Sequence, residues 1–211
     1  MTGRRYPVGA EPMPGGGVHF RVWAPIRRRV EVVLEHGPGA PAALILEPEP
    51  GGYWSGSAAG AAAGTLYRFR LDGEGPFPDP ASRYQPEGPH GPARVVDPGI
   101  FRWSDAAWHG ISLEGQVIYE LHVGTFTPEG TLDAARLQLP ELATFGITVV
   151  ELMPLAEFPG RFGWGYDGVG LFAPTRLYGE PDDVRRFVDD AHRHGIGVML
   201  DVVYNLSLIH I

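Results

Sequence analysis

Three runs in the second half of the chain are apolar on both faces, and nothing else restricts the possible fold as strongly. They are QVIYELHVG (116–124), ITVVELMP (147–154) and IGVMLDVVYN (196–205). A strand without a polar face needs cover on both sides, as in parallel sheets whose connections are helices. The intervening segments fit. TLDAARLQLPELATFG (131–146) spaces Leu132, Ala135, Leu139, Leu142 and Phe145 at helical intervals, with Thr131 as N-cap and Gly146 as stop. Pro140 interrupts that pattern and predicts a kink or two pieces. PDDVRRFVDDAHRHG (181–195) predicts a second amphipathic helix. Pro181, Asp182 and Asp183 stand at its positive end, and His192, Arg193 and His194 at its negative end. The order β-α-β-loop-α-β implies right-handed crossovers in one parallel sheet.

The first hundred residues follow a different pattern. HFRVWAP (19–25) alternates, with Phe20 and Val22 on one side and His19, Arg21 and Trp23 on the other. VEVVLE, ALILE, GYWSG and LYRFRLDG follow at even spacing between Gly- and Pro-rich turns, the signature of a β-sandwich. Core packing is the first reading of Trp23, Tyr53, Trp54, Tyr67 and Phe69, and a sugar-stacking platform is the second. From Pro76 to Gly115 the prolines are too dense for regular elements. An ordered connector is expected there, anchored by Trp103 and Trp108.

Composition excludes several classes. No apolar stretch reaches the length of a membrane span, and the first residues lack the apolar core of a signal peptide. The 211 residues include no cysteine, so no disulfide framework or thiolate metal site is available. All 17 basic residues are arginine, and the net charge of −8 argues against a nucleic-acid partner. A soluble, cytoplasmic protein with a neutral partner is expected.

In parallel α/β folds chemistry collects at the carboxyl ends of the strands. Those ends carry Glu120 and His122, Glu151, and Asp201 and Asn205. The loop after the second strand holds Phe158, Phe162, Trp164, Tyr166, Phe172 and Tyr178 beside Glu157, Arg161 and Asp167. Aromatic faces next to carboxylates suit a carbohydrate, whose C–H faces stack and whose hydroxyls donate. Glu151 can equally cap a neighbouring backbone group. His192 and His194 read as solvated helix-end residues, and His122 with Asp201 are too few ligands for a metal.

At these residues a family resemblance enters. VIYELHVGTFTPEGT (117–131), GITVVELMP (146–154), FPGRFGWGYDGVG (158–170), YGEPDDVRRFVDDAH (178–192) and GVMLDVVYN (197–205) resemble the opening of the catalytic barrel of the α-amylase superfamily. Within it, ELHVGTFTPEGT and EFPGRFGWGYDG are most similar to the malto-oligosyltrehalose trehalohydrolase family, as are FRVWAP and PDPASRYQPEGPHGP in the front half. The resemblance implies a multi-domain chain. An immunoglobulin-like β-sandwich would span 1–100 and a connector 101–116, followed by the first three β/α units of a truncated (β/α)8 TIM barrel over 117–205. It further implies a glycoside hydrolase that cleaves the α-1,4 bond next to a terminal trehalose unit, with an α-glucan partner and no cofactor. A branching or debranching enzyme, or a non-catalytic glucan-binding module, is the alternative.

By the same resemblance Tyr166 stacks on the sugar beside the scissile bond, and Asp167 follows it. Asp201 orients the site and contacts a sugar, with Asn205 as its partner. From the strand ends and the aromatic loop, Glu151, His122 and Trp164 are added as expected substrate contacts. The nucleophile, the acid/base and the third acid are expected beyond the chain, so no catalytic residue is named. The family has histidine after Asn205, where this sequence has Leu206. The closing LSLIHI (206–211) is what a transposase sequencing adapter, CTGTCTCTTATACACATC, encodes in frame, so adapter read-through is expected there.

Overall fold

The computed structural model describes residues 3–204; Asn205 and the LSLIHI tail lie outside the described residues. The chain divides into two compact units. One runs to Pro98 and takes in Gly170–Ala173; the other holds Gly99–Val169 and the chain from Pro174 onward.

The first unit has two antiparallel sheets. Strands β1 (Gly9–Pro12), β2 (Val18–Trp23), β5 (Glu47–Glu49) and β6 (Tyr53–Ala58) form one, in the order β1-β2-β6-β5. Strands β3 (Val30–His36), β4 (Ala42–Ile45), β7 (Leu66–Leu71) and β8 (Glu74–Phe77) form the other, in the order β4-β3-β7-β8, with β9 (Ala93–Arg94) on β7. The two-residue period decides what goes inside. Val18, Phe20 and Val22 of β2 meet Val30, Val32 and Leu34 of β3 and Tyr67 and Phe69 of β7 in one core. Phe20 sets its ring edge-on to Tyr67 at 4.9 Å between centroids.

Core packing holds for Tyr67 and Phe69, and fails for Trp23. Trp23 shares the outward parity of His19 and Arg21, is 60% exposed and donates its Nε1–H to the Gly51 carbonyl at 3.0 Å. Tyr53, its cross-strand partner, is half-buried beneath the Arg21 guanidinium, 3.8 Å from the ring centroid. Trp54 is half-buried against the core and donates to the Ala24 carbonyl.

The second unit is built on a three-stranded parallel sheet, β10 (Ile118–Leu121), β11 (Val149–Leu152) and β14 (Gly197–Leu200), with β11 central. Between β11 and β14 lie two short extended stretches, β12 (Ala156–Glu157) and β13 (Gly170–Pro174). The first strand is shorter than the sequence predicts. His122 leaves it and accepts the Thr125 and Phe126 N–H groups, opening a one-turn helix, α1 (Val123–Phe126).

The predicted interruption at Pro140 appears as two helices, α2 (Leu132–Arg136) and α3 (Leu139–Thr144). Pro140 stands in the first turn of α3, where its missing N–H costs nothing. Thr131 Oγ1 accepts the Ala134 N–H at 3.2 Å as the N-cap. Helix α4 (Pro181–Arg193) opens with a capping box in which Asp183 accepts the Glu180 N–H at 2.7 Å. Phe187 and Ala191 of α4 pack with Leu132, Leu139, Val150 and Leu152 in the core.

Burial of the strands differs from the expectation. Val149, Val150 and Leu152 of β11 are buried, yet Ile118, Tyr119, Met199 and Leu200 on the flanking strands are exposed. The reason is topological: β10 and β14 each pair with β11 alone among the described residues. The connector also departs from the expectation. Trp103 is exposed, whereas Trp108 lies flat on the His192 ring at 4.5 Å and 7°. His192 is therefore no solvated helix end. Its Nδ1 lies 2.7 Å from Asp105 Oδ2, while Asp189, one turn earlier, accepts the Ser104 N–H and hydroxyl, both at 2.7 Å.

Candidate functional site

In-register parallel pairing puts laterally aligned residues on one face of the sheet. Leu121, Val150 and Leu152 lie in the core with the helices, so Glu120, Glu151 and Met199, aligned across β10, β11 and β14, face the other way. Asp201, two residues beyond Met199, continues that face. Its N–H extends the ladder past β14 by donating to the Leu152 carbonyl at 2.9 Å. The chain alternation thus gathers Glu120, Glu151 and Asp201 at the carboxyl ends of three neighbouring strands.

The loop after β11 brings Tyr166 to this edge. The phenol donates to Asp201 Oδ2 at 3.0 Å and is 38% exposed. That hydrogen bond to Asp201 raises the Tyr166 pKa, and partial burial and the charges of Asp201, Glu120 and Glu151 push the same way. The site is a cluster of acceptors around one aromatic ring. It suits a neutral ligand rich in hydroxyl donors with an apolar face to stack. Among the described residues no group of three His, Cys, Asp or Glu is arranged to hold a metal ion.

The remaining expected contacts are placed differently. His122 turns into the loop: Nε2 lies 2.9 Å from the Gly163 carbonyl and 2.8 Å from the Tyr178 hydroxyl, and Nδ1 lies 3.0 Å from Thr125 Oγ1. Burial raises the pKa of Tyr178. Trp164 is 71% exposed, and Asp167 is exposed with no hydrogen-bond partner among the described residues. The structure therefore brings Tyr166, Asp201 and Glu151 together, with Glu120 as a fourth member. It places His122 in a loop-holding network and leaves Trp164 and Asp167 facing solvent.

The loop is closely packed at glycines. A side chain at Gly163 would strike the Phe158 ring at 2.9 Å, and one at Gly165 (φ 89°) would strike the Pro154 carbonyl oxygen at 2.2 Å. Sequence reasoning named Glu120 only as a strand-end residue. Its alternation with the apolar Leu121, which takes the core face, is the available signal. Tyr178 carried no local signal, because its partner His122 lies 56 positions earlier.

Comparison with known proteins follows the same division of the chain. Residues 7–98 match the family carbohydrate-binding module 48 (isoamylase N-terminal domain). A malto-oligosyltrehalose trehalohydrolase of Deinococcus radiodurans is 50% identical over 94% of the chain and 32% of its own length. A 1,4-alpha-glucan branching enzyme of Aromatoleum aromaticum is 36% identical over 95% of the chain and 34% of its own length. A crystal structure of a Salmonella typhimurium protein described as an alpha amylase superposes with a TM-score of 0.87 at 44% identity, covering 93% of the chain and 33% of that protein. The chain spans about a third of the length of these relatives. Over about nine-tenths of its length it is similar to proteins described as malto-oligosyltrehalose trehalohydrolases.

Proposed function

We propose that the chain is part of a cytoplasmic glycoside hydrolase that releases trehalose from maltooligosyltrehalose, cutting the α-1,4 bond next to the trehalose unit. Residues 1–100 are its immunoglobulin-like sandwich, 101–116 a connector, and 117–205 the opening three units of a (β/α)8 barrel. The observation that carries the reading is the Tyr166 hydroxyl on Asp201, beside Glu120 and Glu151 at the strand ends. In this reading Tyr166 and Trp164 stack on sugar rings. Asp201 and Glu151 accept sugar hydroxyls, Asp167 and Asn205 flank them, and His122 holds the loop that carries Tyr166. Such hydrolases retain configuration with two carboxyl groups about 5 Å apart, one a nucleophile and one an acid/base. Neither is assigned to a residue of this chain.

The identity to a trehalohydrolase, 50% against 36% for a branching enzyme, favours trehalose release over glucan branching. The test is the longest product of the gene, incubated with maltooligosyltrehalose and separately with amylose. Trehalose release is expected, with none from the 211-residue chain alone. The substitution D201N removes one charged acceptor and should lower kcat/KM by about 10- to 150-fold. Branched product from amylose with no trehalose would overturn the reading. A second reading, glucan binding by the sandwich itself, is favoured by the match of residues 7–98 to a carbohydrate-binding module and by exposed Trp23.

A further inference from the structure

Glu157 is a fully buried carboxyl that no sugar contact uses. It sits at the root of the loop carrying Tyr166, and its bonds close that loop. Oε2 accepts the Arg176 N–H at 2.8 Å, and Oε1 accepts the Phe158 N–H at 3.2 Å and pairs with the Arg176 guanidinium. The same guanidinium donates from its other nitrogen to the Gly160 carbonyl at 3.2 Å. The Glu157 carbonyl accepts the Val169 N–H at 2.7 Å, and Thr175 N–H donates to the Leu155 carbonyl at 2.7 Å. One carboxylate and one guanidinium therefore join both ends of a loop of about twenty residues. Between those ends, Gly163 lies on the Phe158 ring and Gly165 on Pro154.

From this geometry we propose that Glu157 and Arg176 act as a positioning pair for the Tyr166–Asp201 contact. The clamp fixes where the loop starts and returns; the glycine contacts carry that placement to Gly165, one residue before Tyr166. A surface ion pair would contribute little, but a carboxyl with no exposure cannot exchange its partners for water when one is removed. Burial holds the Glu157 pKa up against the opposing bonds from Arg176 and Phe158, so the carboxylate depends on those partners. Removing either member frees the loop root while the three-stranded parallel sheet and the helices, whose core contains neither residue, stay packed.

The assignment of Tyr166 and Asp201 to sugar rests on the function proposed above, whereas the clamp is tested on Tyr166 itself. The chain is labelled with 3-fluorotyrosine, whose phenol titrates at lower pH than tyrosine, and the Tyr166 resonance is identified by its loss in Y166F. In the unsubstituted protein this resonance should titrate above the solvent-exposed tyrosines, and D201N should lower it towards them. The variants E157Q and R176M should do the same while far-UV circular dichroism stays unchanged, and R176K should restore part of the shift. An unchanged Tyr166 titration in folded E157Q and R176M, with D201N moving it, overturns the proposal. So does failure of both variants to fold, which would make the pair a general support of the unit. Glucan binding and trehalose release are not read in this experiment. Their absence would sink the proposed function and leave the clamp standing.

Discussion

Replacing Tyr67 by phenylalanine removes one oxygen from the middle of the sandwich and keeps the ring. That oxygen donates to Asp79 Oδ2 at 2.6 Å, and both residues are buried. The other carboxyl oxygen accepts the Ala81 N–H at 2.8 Å. Burial raises the Asp79 pKa; the Tyr67 bond, the Ala81 N–H and the charges of Arg83 and Arg4 pull it down. A carboxyl whose folded pKa lies above its unfolded one contributes its full stability below the unfolded value and loses it as pH climbs through the folded one. In Y67F one restraint on that shift is gone, so the loss is larger. Where Asp79 is ionised the missing bond is one to a charged acceptor, costing about 1.5–3 kcal/mol; at lower pH, where it is protonated, the bond is a neutral one costing about 0.5–1.5 kcal/mol. The larger figure corresponds to a drop of about 10 °C or more in the midpoint of a domain this size. Hydrogen exchange at the β2 and β7 amides, followed by mass spectrometry between pH 4 and pH 7.5, reads the sandwich separately from the other unit. A cost that stays below about 0.5 kcal/mol across this pH range, or one that does not change with pH, would refute the argument that Tyr67 supports a buried carboxylate.

Phe187→Ala empties a fully buried site between α4 and the parallel sheet and should cost about 3–5 kcal/mol, read as loss of the cooperative thermal transition of the second unit; a cost below about 1 kcal/mol would contradict its place in the core. Thr131→Ala removes the N-cap of α2 and should cost about 1 kcal/mol in urea unfolding, with Thr131→Ser recovering most of it. Trp23→Ala should leave stability within about 0.5 kcal/mol, because the ring is mostly in water, and should weaken retention on an amylose column if the sandwich binds glucan.

The strands and helices of the second unit were readable because their signals are local. Apolar runs, the Thr131 cap and Pro140 each act within one turn or one strand, and each has its counterpart in the structure. What the local pattern does not contain is the neighbour count. The same apolar grammar stands in β11, paired on both sides and largely buried, and in β10 and β14, paired on one side and exposed over much of their length. The aromatic loop shows the same limit. Its composition pointed to a ligand edge, but whether a given side chain faces the ligand or the loop depends on partners far along the chain, and His122 meets Gly163 and Tyr178 at separations of 41 and 56 residues.

At Trp23 the strand period outweighs residue size. Two signals conflicted at that position: the general tendency of tryptophan to be buried, and the strand period that set it beside His19 and Arg21. The period carries the stronger physical constraint. Turning Trp23 inward would need a one-residue slip of β2, which would send Val18, Phe20 and Val22 outward together. Burying one indole at the expense of three core side chains loses more apolar area than it gains, since each of those contributes about 1.5–3 kcal/mol when fully buried. A single large residue therefore follows the parity of its strand. The same reasoning places Glu120, Glu151 and Asp201 on one face of the parallel sheet, because Leu121, Val150 and Leu152 hold the other. The carboxylate cluster is in that sense a consequence of what the core requires of the residues between.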